Sequence, residues 1–348
     1  MSLIKIAVIF GGCSTEYEVS LNSAYSVITH LNPAKYQPVL LGITRQGQWY
    51  LYNGPYENIA NDTWCTPQYC TSAIISPDRK TQGVLAFVDG GTLTTHIDMA
   101  LPVLHGKNGE DGTIQGLLDM AGIPVVGCGI LASALCMDKD RAHKLAAVGG
   151  VRVPLSFTIN CKSQIDMALI EAETLGFPLF VKPVKSGSSF GVTKVSNKSE
   201  LQLAITTAFE HDNEVIIEEN IHGFEVGCAI IGNQNLIIGE VDEVELSDGF
   251  FDYKEKYNLE TSQIHVPARI APEKADEIKG IAKLIYRALG CSGFARVDMF
   301  LTPSGEIVFN EVNTIPGFTT HSRFPNMLKA IGMTFEQILD EIIGQVSI

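Results

Sequence analysis

The chain has 348 residues, 45% of them hydrophobic and 18% charged, with a formal net charge of -14. That length exceeds one ordinary core, so two or three domains are expected. The acidic balance argues against a general nucleic-acid surface, so a polyphosphate would have to be held by locally placed Lys, Arg and backbone N–H groups.

The eight Cys show no C-x-x-C spacing, which fits reduced and mostly buried thiols in a cytoplasm. Ile4-Lys-Ile-Ala-Val-Ile-Phe10 reads as a first strand; it is too short for a signal peptide. Gly11-Gly12 follows, then a helix from about Thr15, with Thr15 and Glu18 at capping-box spacing. Further strands at Pro38–Thr44, Met99–Leu104 and Pro124–Val126 make this an α/β, Rossmann-like lobe. The full dinucleotide fingerprint is missing, which leaves a nicotinamide site weakly supported. Leu104-His-Gly-Lys-Asn-Gly-Glu-Asp-Gly-Thr113 follows a strand and carries several polar groups on a Gly-rich loop, a candidate site. Met120 to Met137 is uncharged for about the length of a membrane span. Gly122, Pro124, Gly127 and Gly129 interrupt it, so a strand, a turn and a helix fit better and no membrane association is expected.

A second unit begins with an amphipathic helix over Leu131–Val148 and continues with strands at Phe157–Ile159, Leu179–Pro183, Gly191–Val195 and Val215–Glu219. One strand delivers Lys182 into the small-residue loop Ser186-Gly-Ser-Ser189, whose backbone N–H groups can approach phosphate oxygens. There is no Walker loop. Glu218 and Glu219 end a strand, and Glu225 follows Glu218 by seven residues, a spacing that suits a purine amine and a ribose diol. Surface carboxylates at a strand end would look the same.

The third unit holds strands Glu225–Ile231 and Leu236–Val244, a polar segment Glu245–Ser262, the helix Pro272–Leu289, a hairpin, and a final helix near Thr334. The hairpin strands are Ala295-Arg-Val-Asp-Met-Phe300 and Ile307-Val-Phe-Asn-Glu-Val-Asn313, with Ser304-Gly305 as a two-residue turn. That register sets Arg296 opposite Asn313, Asp298 opposite Glu311 and Phe300 opposite Phe309, all on one face. Facing carboxylates repel, and a hard divalent cation removes the cost. Oxygen donors without His or Cys suit Mg²⁺ shared with substrate phosphates. No Ser–His–Asp or Cys–His arrangement emerges, so covalent catalysis is not expected.

These residues together resemble the ATP-grasp D-alanine–D-alanine ligase family over nearly the whole chain. The motifs are Phe10-Gly-Gly-Cys-Ser-Thr-Glu-Tyr-Glu-Val-Ser20, His105-Gly-Lys-Asn-Gly-Glu-Asp-Gly112, Met137-Asp-Lys139, Val181-Lys-Pro183, Gly187-Ser-Ser-Phe-Gly191, Glu255-Lys-Tyr257, Arg296-Val-Asp298 and Glu311-Val-Asn-Thr-Ile-Pro-Gly317. Each alone is a modest match, and their order makes the resemblance specific. It looks nearest to the vancomycin-resistance branch, and within that to D-alanyl–D-serine ligases of VanC/VanG type.

The resemblance implies an N-terminal Rossmann-like lobe over 1–127, a central ATP-grasp lobe over 128–216 and a C-terminal one over 217–348 with a mobile loop at 245–262. It implies ATP held by Lys139, Lys182, Ser188, Glu218, Glu219 and Glu225, and two Mg²⁺, or Mn²⁺ in their place, on Asp298, Glu311 and Asn313. Glu16 and His105 resemble contacts to the first D-alanine. Glu16, Ser188 and Tyr257 resemble a hydrogen-bonded trio across the lobes, and Arg296 with the Gly317 N–H resembles an oxyanion site. Phe251, Lys256 and Ser322 fall to the second residue, with Lys256 and Ser322 holding its carboxylate. Arg323 stands where the ordinary ligases tend to carry an aliphatic residue, so D-serine is the expected second substrate, bonded by its hydroxyl. D-alanine is the alternative, as in a housekeeping ligase. A nucleotide sensor without catalysis is the rival outside enzymes, and it has no need of Arg296. A cytoplasmic homodimer, with a role in peptidoglycan synthesis, follows from the resemblance alone.

Overall fold

The computed structural model describes residues 3–187, 190–246 and 262–346. Three sheets organise them. The first has seven strands in the order β6-β5-β4-β3-β2-β1-β7. These are β1 (Ile4–Gly11), β2 (Tyr36–Ile43), β3 (Trp49–Tyr52), β4 (Cys70–Ile75), β5 (Gly83–Val88), β6 (Gly91–His96) and β7 (Met99–Pro102). β1 lies between β2 and β7, parallel to both. A strand covered on both faces reads as a continuous apolar run, which is why Ile6 to Phe10 are all buried. The C-terminal ends of β1 and β7 open into the loops that carry Glu16 and His105, at a crevice where open α/β sheets bind ligands. β3 to β6 are antiparallel, so the lobe is a mixed sheet and only part of it follows the doubly wound pattern.

The Thr15–Glu18 capping box does not form. Helix Tyr17–His30 starts from Glu16, which makes no side-chain cap. The uncharged stretch near Met120 divides into a short bridge at Val125 and helix Ile130–Met137. Among the described residues no helix is long and apolar enough to cross a membrane. The helix expected over Leu131–Val148 breaks at Asp138, whose carboxylate caps the second helix, Lys139–Val148, by accepting from Arg141 N–H.

The second sheet is antiparallel, in the order β10-β9-β11-β8. Its strands are β8 (Ser156–Ile159), β9 (Leu179–Pro183), β10 (Thr193–Val195) and β11 (Val215–Glu219). Leu179, Val181, Val215 and Ile217 pack on helices Ile165–Leu175 and Lys198–Ala208. The alternate residues Lys182 and Glu218 therefore share the other face.

The third sheet contains β12 (Phe224–Ile231), β13 (Ile237–Ile238), β14 (Asp242–Leu246), β15 (Ser262–His265), β16 (Phe294–Leu301) and β17 (Ile307–Asn313). Its main path is β15-β14-β12-β16-β17. The strand expected over Leu236–Val244 is broken in two. Val226, Cys228, Val297 and Met299 pack on helix Pro272–Ala288, which leaves Glu225, Gly227, Arg296 and Asp298 on the opposite face. Helix Arg323–Lys329 lies over that face. The final helix, Phe335–Gly344, starts with a full capping box at Thr334 and Gln337.

β16 and β17 pair with Arg296 opposite Asn313 and Asp298 opposite Glu311, as the alternation predicts. Phe300 does not face Phe309. Met299 does, and Phe300 faces Val308. Two departures cancel. The turn is a three-residue loop, Pro303–Gly305, closed by the Thr302 and Glu306 backbones, with Gly305 at φ 84°. A β-bulge at Asn310 then adds one residue to β17. The bulge inverts the parity of the strand. Phe309 turns into the core, and two residues later Glu311 turns onto the face of Asp298.

Candidate active site

A cleft of about 780 Å³ joins the three units. Its walls include Glu16, His105 and Glu110 from the first, Lys139 and Gly187 from the second, and Arg296, Glu311, Asn313, Gly317, Ser322 and Arg323 from the third. Ser188, Phe251, Glu255, Lys256 and Tyr257 lie outside the described residues, as does the segment 247–261 of the expected lid.

Glu16 is buried beneath two loops. A Cβ placed on Gly187 would sit 2.6 Å from its Oε2, and one on Gly106 would also collide with it. Glycine at both positions lets the first-lobe loop and the small-residue loop close on one carboxylate. His105 is buried, with Nδ1 2.8 Å from Ile315 O and Nε2 3.1 Å from Ser23 Oγ. The first contact requires Nδ1–H, so Nε2 accepts from the serine. Burial lowers the imidazole pKa, which keeps the ring neutral. Glu110 accepts from Gly106 N–H at 2.8 Å and Ile315 N–H at 2.9 Å. Ser23 Oγ also accepts from Phe318 N–H at 3.2 Å. His105, Glu110 and Ser23 thus hold the segment that carries Gly317. Sequence reading did not single out Glu110 or Ser23. Ser322 Oγ, which accepts from Thr319 N–H at 3.0 Å, leaves no room for a side chain on Gly317, because a Cβ there would lie 2.8 Å away. Burial, and then the charge of Glu16, push the Glu110 carboxyl up to about 8.

Lys139 Nζ is 2.7 Å from Ser186 O and 3.7 Å from Glu311 Oε2, so it stands between the small-residue loop and the hairpin. Lys182 pairs with Glu218 at 2.6 Å. Burial opposes charge on Glu218, but the Lys182 and Lys139 ammonium groups hold its carboxyl below the usual range. The second oxygen of Glu218 has no hydrogen-bond partner among the described residues. A buried acceptor without a donor is costly, and a purine amine would satisfy it. Glu219 accepts from Arg152 at 2.5 Å and from Leu155 N–H at 2.7 Å. These bonds tie its strand to the segment before β8.

Arg296 and Asp298 form a bidentate pair at 2.7 and 2.8 Å, and Asn313 Nδ2 donates to Asp298 at 2.9 Å. The set expected for metal is therefore assembled, with Arg296 on Asp298 and Lys139 on Glu311 as its present counter-charges. Among the described residues no three His, Cys, Asp or Glu side chains form a metal cluster. The donors are two carboxylates and an amide, hard oxygens that fit Mg²⁺ when substrate phosphates complete its shell.

Arg323 is placed differently from its expected role. Its Nε and Nη2 bond Asp242 at 2.6 and 2.8 Å, Nη1 bonds Glu225, and Nη2 lies 3.5 Å from Asp298 Oδ1. Gly227 stands directly between Asp242 and Asp298 on the neighbouring strands. A Cβ there would come 2.7 Å from Asp242 Oδ1 and within contact of the guanidinium. Arg323 lies over this glycine, held by carboxylates, and it also lines the cleft. Asp242 escaped the sequence reading because its partner is 81 residues away.

Comparison with known proteins bears on what this cleft does. Residues 5–128 match the family model for the D-ala D-ala ligase N-terminus, and residues 155–344 match that for the D-ala D-ala ligase C-terminus. The crystal structure of the VanG D-Ala:D-Ser ligase from Enterococcus faecalis superposes with a TM-score of 0.92 at 57% identity, over 99% of each chain. The Vancomycin B-type resistance protein VanB of Enterococcus faecalis is 47% identical over 99% of this chain and 98% of its own length. The Vancomycin C-type resistance protein VanC1 of Enterococcus gallinarum is 44% identical over 98% of this chain and 97% of its own.

Proposed function

The chain belongs to the D-Ala–D-Ala ligase family, and from that premise we propose that it joins D-alanine to D-serine at the expense of ATP. As a member of this family it is an ATP-dependent ligase that forms carbon–nitrogen bonds, uses a divalent metal and acts on small molecules. Its relatives tie the family to peptidoglycan synthesis and vancomycin resistance.

The observation that carries the reading is the convergence of Arg296, Asp298, Glu311 and Asn313 on one face of a hairpin, opposite Glu16 and the Gly317 segment. In this reading Glu16 receives the ammonium of the first D-alanine. Lys139 and Lys182 hold the nucleotide phosphates, Glu218 takes the purine amine and Glu225 the ribose. A divalent cation on Asp298, Glu311 and Asn313 supplies the positive charge that phosphoryl transfer requires. The first substrate's carboxylate takes the γ-phosphoryl group and ADP leaves. The second substrate's amine then attacks the acyl carbon and phosphate departs. Arg296 and the Gly317 N–H face the oxyanion of that attack, and preorganised donors there contribute most to lowering the barrier. The segment around 245–262 would close the site against water.

The choice of D-serine rests on the polar wall made by Ser322 and Arg323 and on the likeness to the VanG ligase. Because carboxylates take up much of the Arg323 bonding capacity, selection would come from a fixed ion cluster. The same commitment favours D-alanine as the alternative second substrate. A dipeptide product assay with D-alanine alone, D-alanine plus D-serine, and D-alanine plus D-lactate tests this. D-alanyl–D-serine should dominate, and a product of D-alanine alone under competition would reverse the choice. A homodimer is part of the same reading, and sedimentation would test it.

A further inference from the structure

His143, on helix Lys139–Val148, has no place in the chemistry above, yet it is buried between the second sheet and the hairpin. Its Nε2 is 2.7 Å from Asn310 O. Asn310 is the bulge residue of β17, left without a partner across the ladder. β17 is the edge strand of its sheet, so groups on its outer side must be satisfied by other elements. Phe309 N–H finds Arg152 O at 2.8 Å, and the bulge carbonyl finds His143. The ring meets Phe309 edge-on with centroids 5.4 Å apart.

The carbonyl contact fixes the tautomer. Nε2 carries the proton, and burial disfavours a second one. Nδ1 is then an acceptor, and it stands 3.5 Å from Glu218 Oε1, another acceptor, with no donor on either atom among the described residues. An N–H group from outside the protein would satisfy both. One ring therefore touches the acid assigned to the nucleotide and the strand assigned to the metal.

We propose that His143 is a positioning residue that holds the Asn310 bulge and so keeps Glu311 on the face of Asp298, coupling the nucleotide pocket to the metal set. The inference rests on the metal and nucleotide assignments of the preceding section. Holding the bulge matters because, without it, the strand's period of two would carry Glu311 to the core side with Phe309.

The test is Mn²⁺ binding to the full-length enzyme with ADP present, read from the free-ion EPR signal in wild type, E311Q, H143L, H143N and H143Q. A glutamine amide reaches the position of Nε2 and can still donate to Asn310 O, whereas an asparagine amide reaches only that of Nδ1. H143L and H143N should weaken Mn²⁺ about tenfold, the lower end of the range for outer-shell partners, and H143Q should stay near wild type. Should H143L fail to fold, the H143N and H143Q pair carries the comparison. H143N binding Mn²⁺ as wild type does, or H143Q losing as much as H143N, would overturn the role of His143. E311Q binding like wild type would instead overturn the metal assignment.

Discussion

Replacing Arg323 with leucine should destabilise the protein by about 3–5 kcal/mol, the cost of breaking a buried ion pair from one side. The structure says why the cost is large. Arg323 bonds Asp242 twice, at 2.6 and 2.8 Å, bonds Glu225 once, and stands 3.5 Å from Asp298. Asp242 is 0% exposed and Asp298 1%. A unit charge pair at 4 Å is worth about 4 kcal/mol at an effective dielectric near 20, and leucine offers these acids nothing in return. Thermal unfolding followed by circular dichroism, on wild type, R323L, D242N and the double variant, measures it. R323L should lower Tm by several degrees, given roughly 2–4 °C per kcal/mol at 150–250 residues and less in a longer chain. If counter-charge is the cause, D242N should recover part of the loss, with a coupling of about 1 kcal/mol or more. An R323L protein as stable as wild type, or costs that simply add, would refute the reasoning. The ratio of D-serine to D-alanine turnover in R323L, at a temperature where it is folded, then reports selectivity apart from stability.

Gly227→Ala should be destabilising and should reduce activity, because its methyl would enter the space between Asp242 and the guanidinium; normal kinetics and Tm would show that the cluster can shift. Glu311→Gln should cut turnover by orders of magnitude, since phosphoryl transfer depends on metal charge; near-normal turnover at ordinary Mg²⁺ would remove Glu311 from the site. Glu110 gives a pH test. Its carboxyl is raised from 4.5 to about 8 in the folded protein by burial and Glu16, with Arg296 opposing. The folded state therefore holds a proton that the unfolded state releases, and this group's contribution to stability falls as pH rises from 4.5 toward 8. The slope is at most about 1.4 kcal/mol per pH unit. Glu110→Gln removes that slope, so the Tm difference should move in the variant's favour between pH 5 and pH 8. Parallel curves would count against a shifted Glu110.

The motifs assigned to substrates were legible because each is a short run whose chemistry is local: Lys182 on its strand, Glu16 after the first strand, and the two acids of the hairpin. The facing of Asp298 and Glu311 was legible too, although the turn assumed for it was wrong. The three-residue loop and the bulge at Asn310 each shift the register by one, in opposite senses. A bulge leaves no composition signal when the residues around it remain good strand formers. The antiparallel strands β3 to β6 were missed for another reason. β6 is mostly exposed, so its burial shows no alternation to read. Arg323 shows the remaining limit. Its type and position stood out, but its partners come from β12, β14 and β16, and only folding brings them together.

The bulge makes the number of residues part of the active site. Inserting one residue between Phe309 and Asn310, with still a single residue bulged, would remove no group assigned to a substrate, and every acid of the hairpin would survive in the sequence. With Phe309 anchored in the core, the residues after it would change sides. Val312 would face the cleft, and Glu311 and Asn313 would point toward the apolar interior. A length change in the Pro303–Gly305 loop can be absorbed at the exposed tip, where insertions are best tolerated. Among homologous chains, then, single-residue insertions belong in that loop and not between Phe309 and Asn313, even where the residues between them vary.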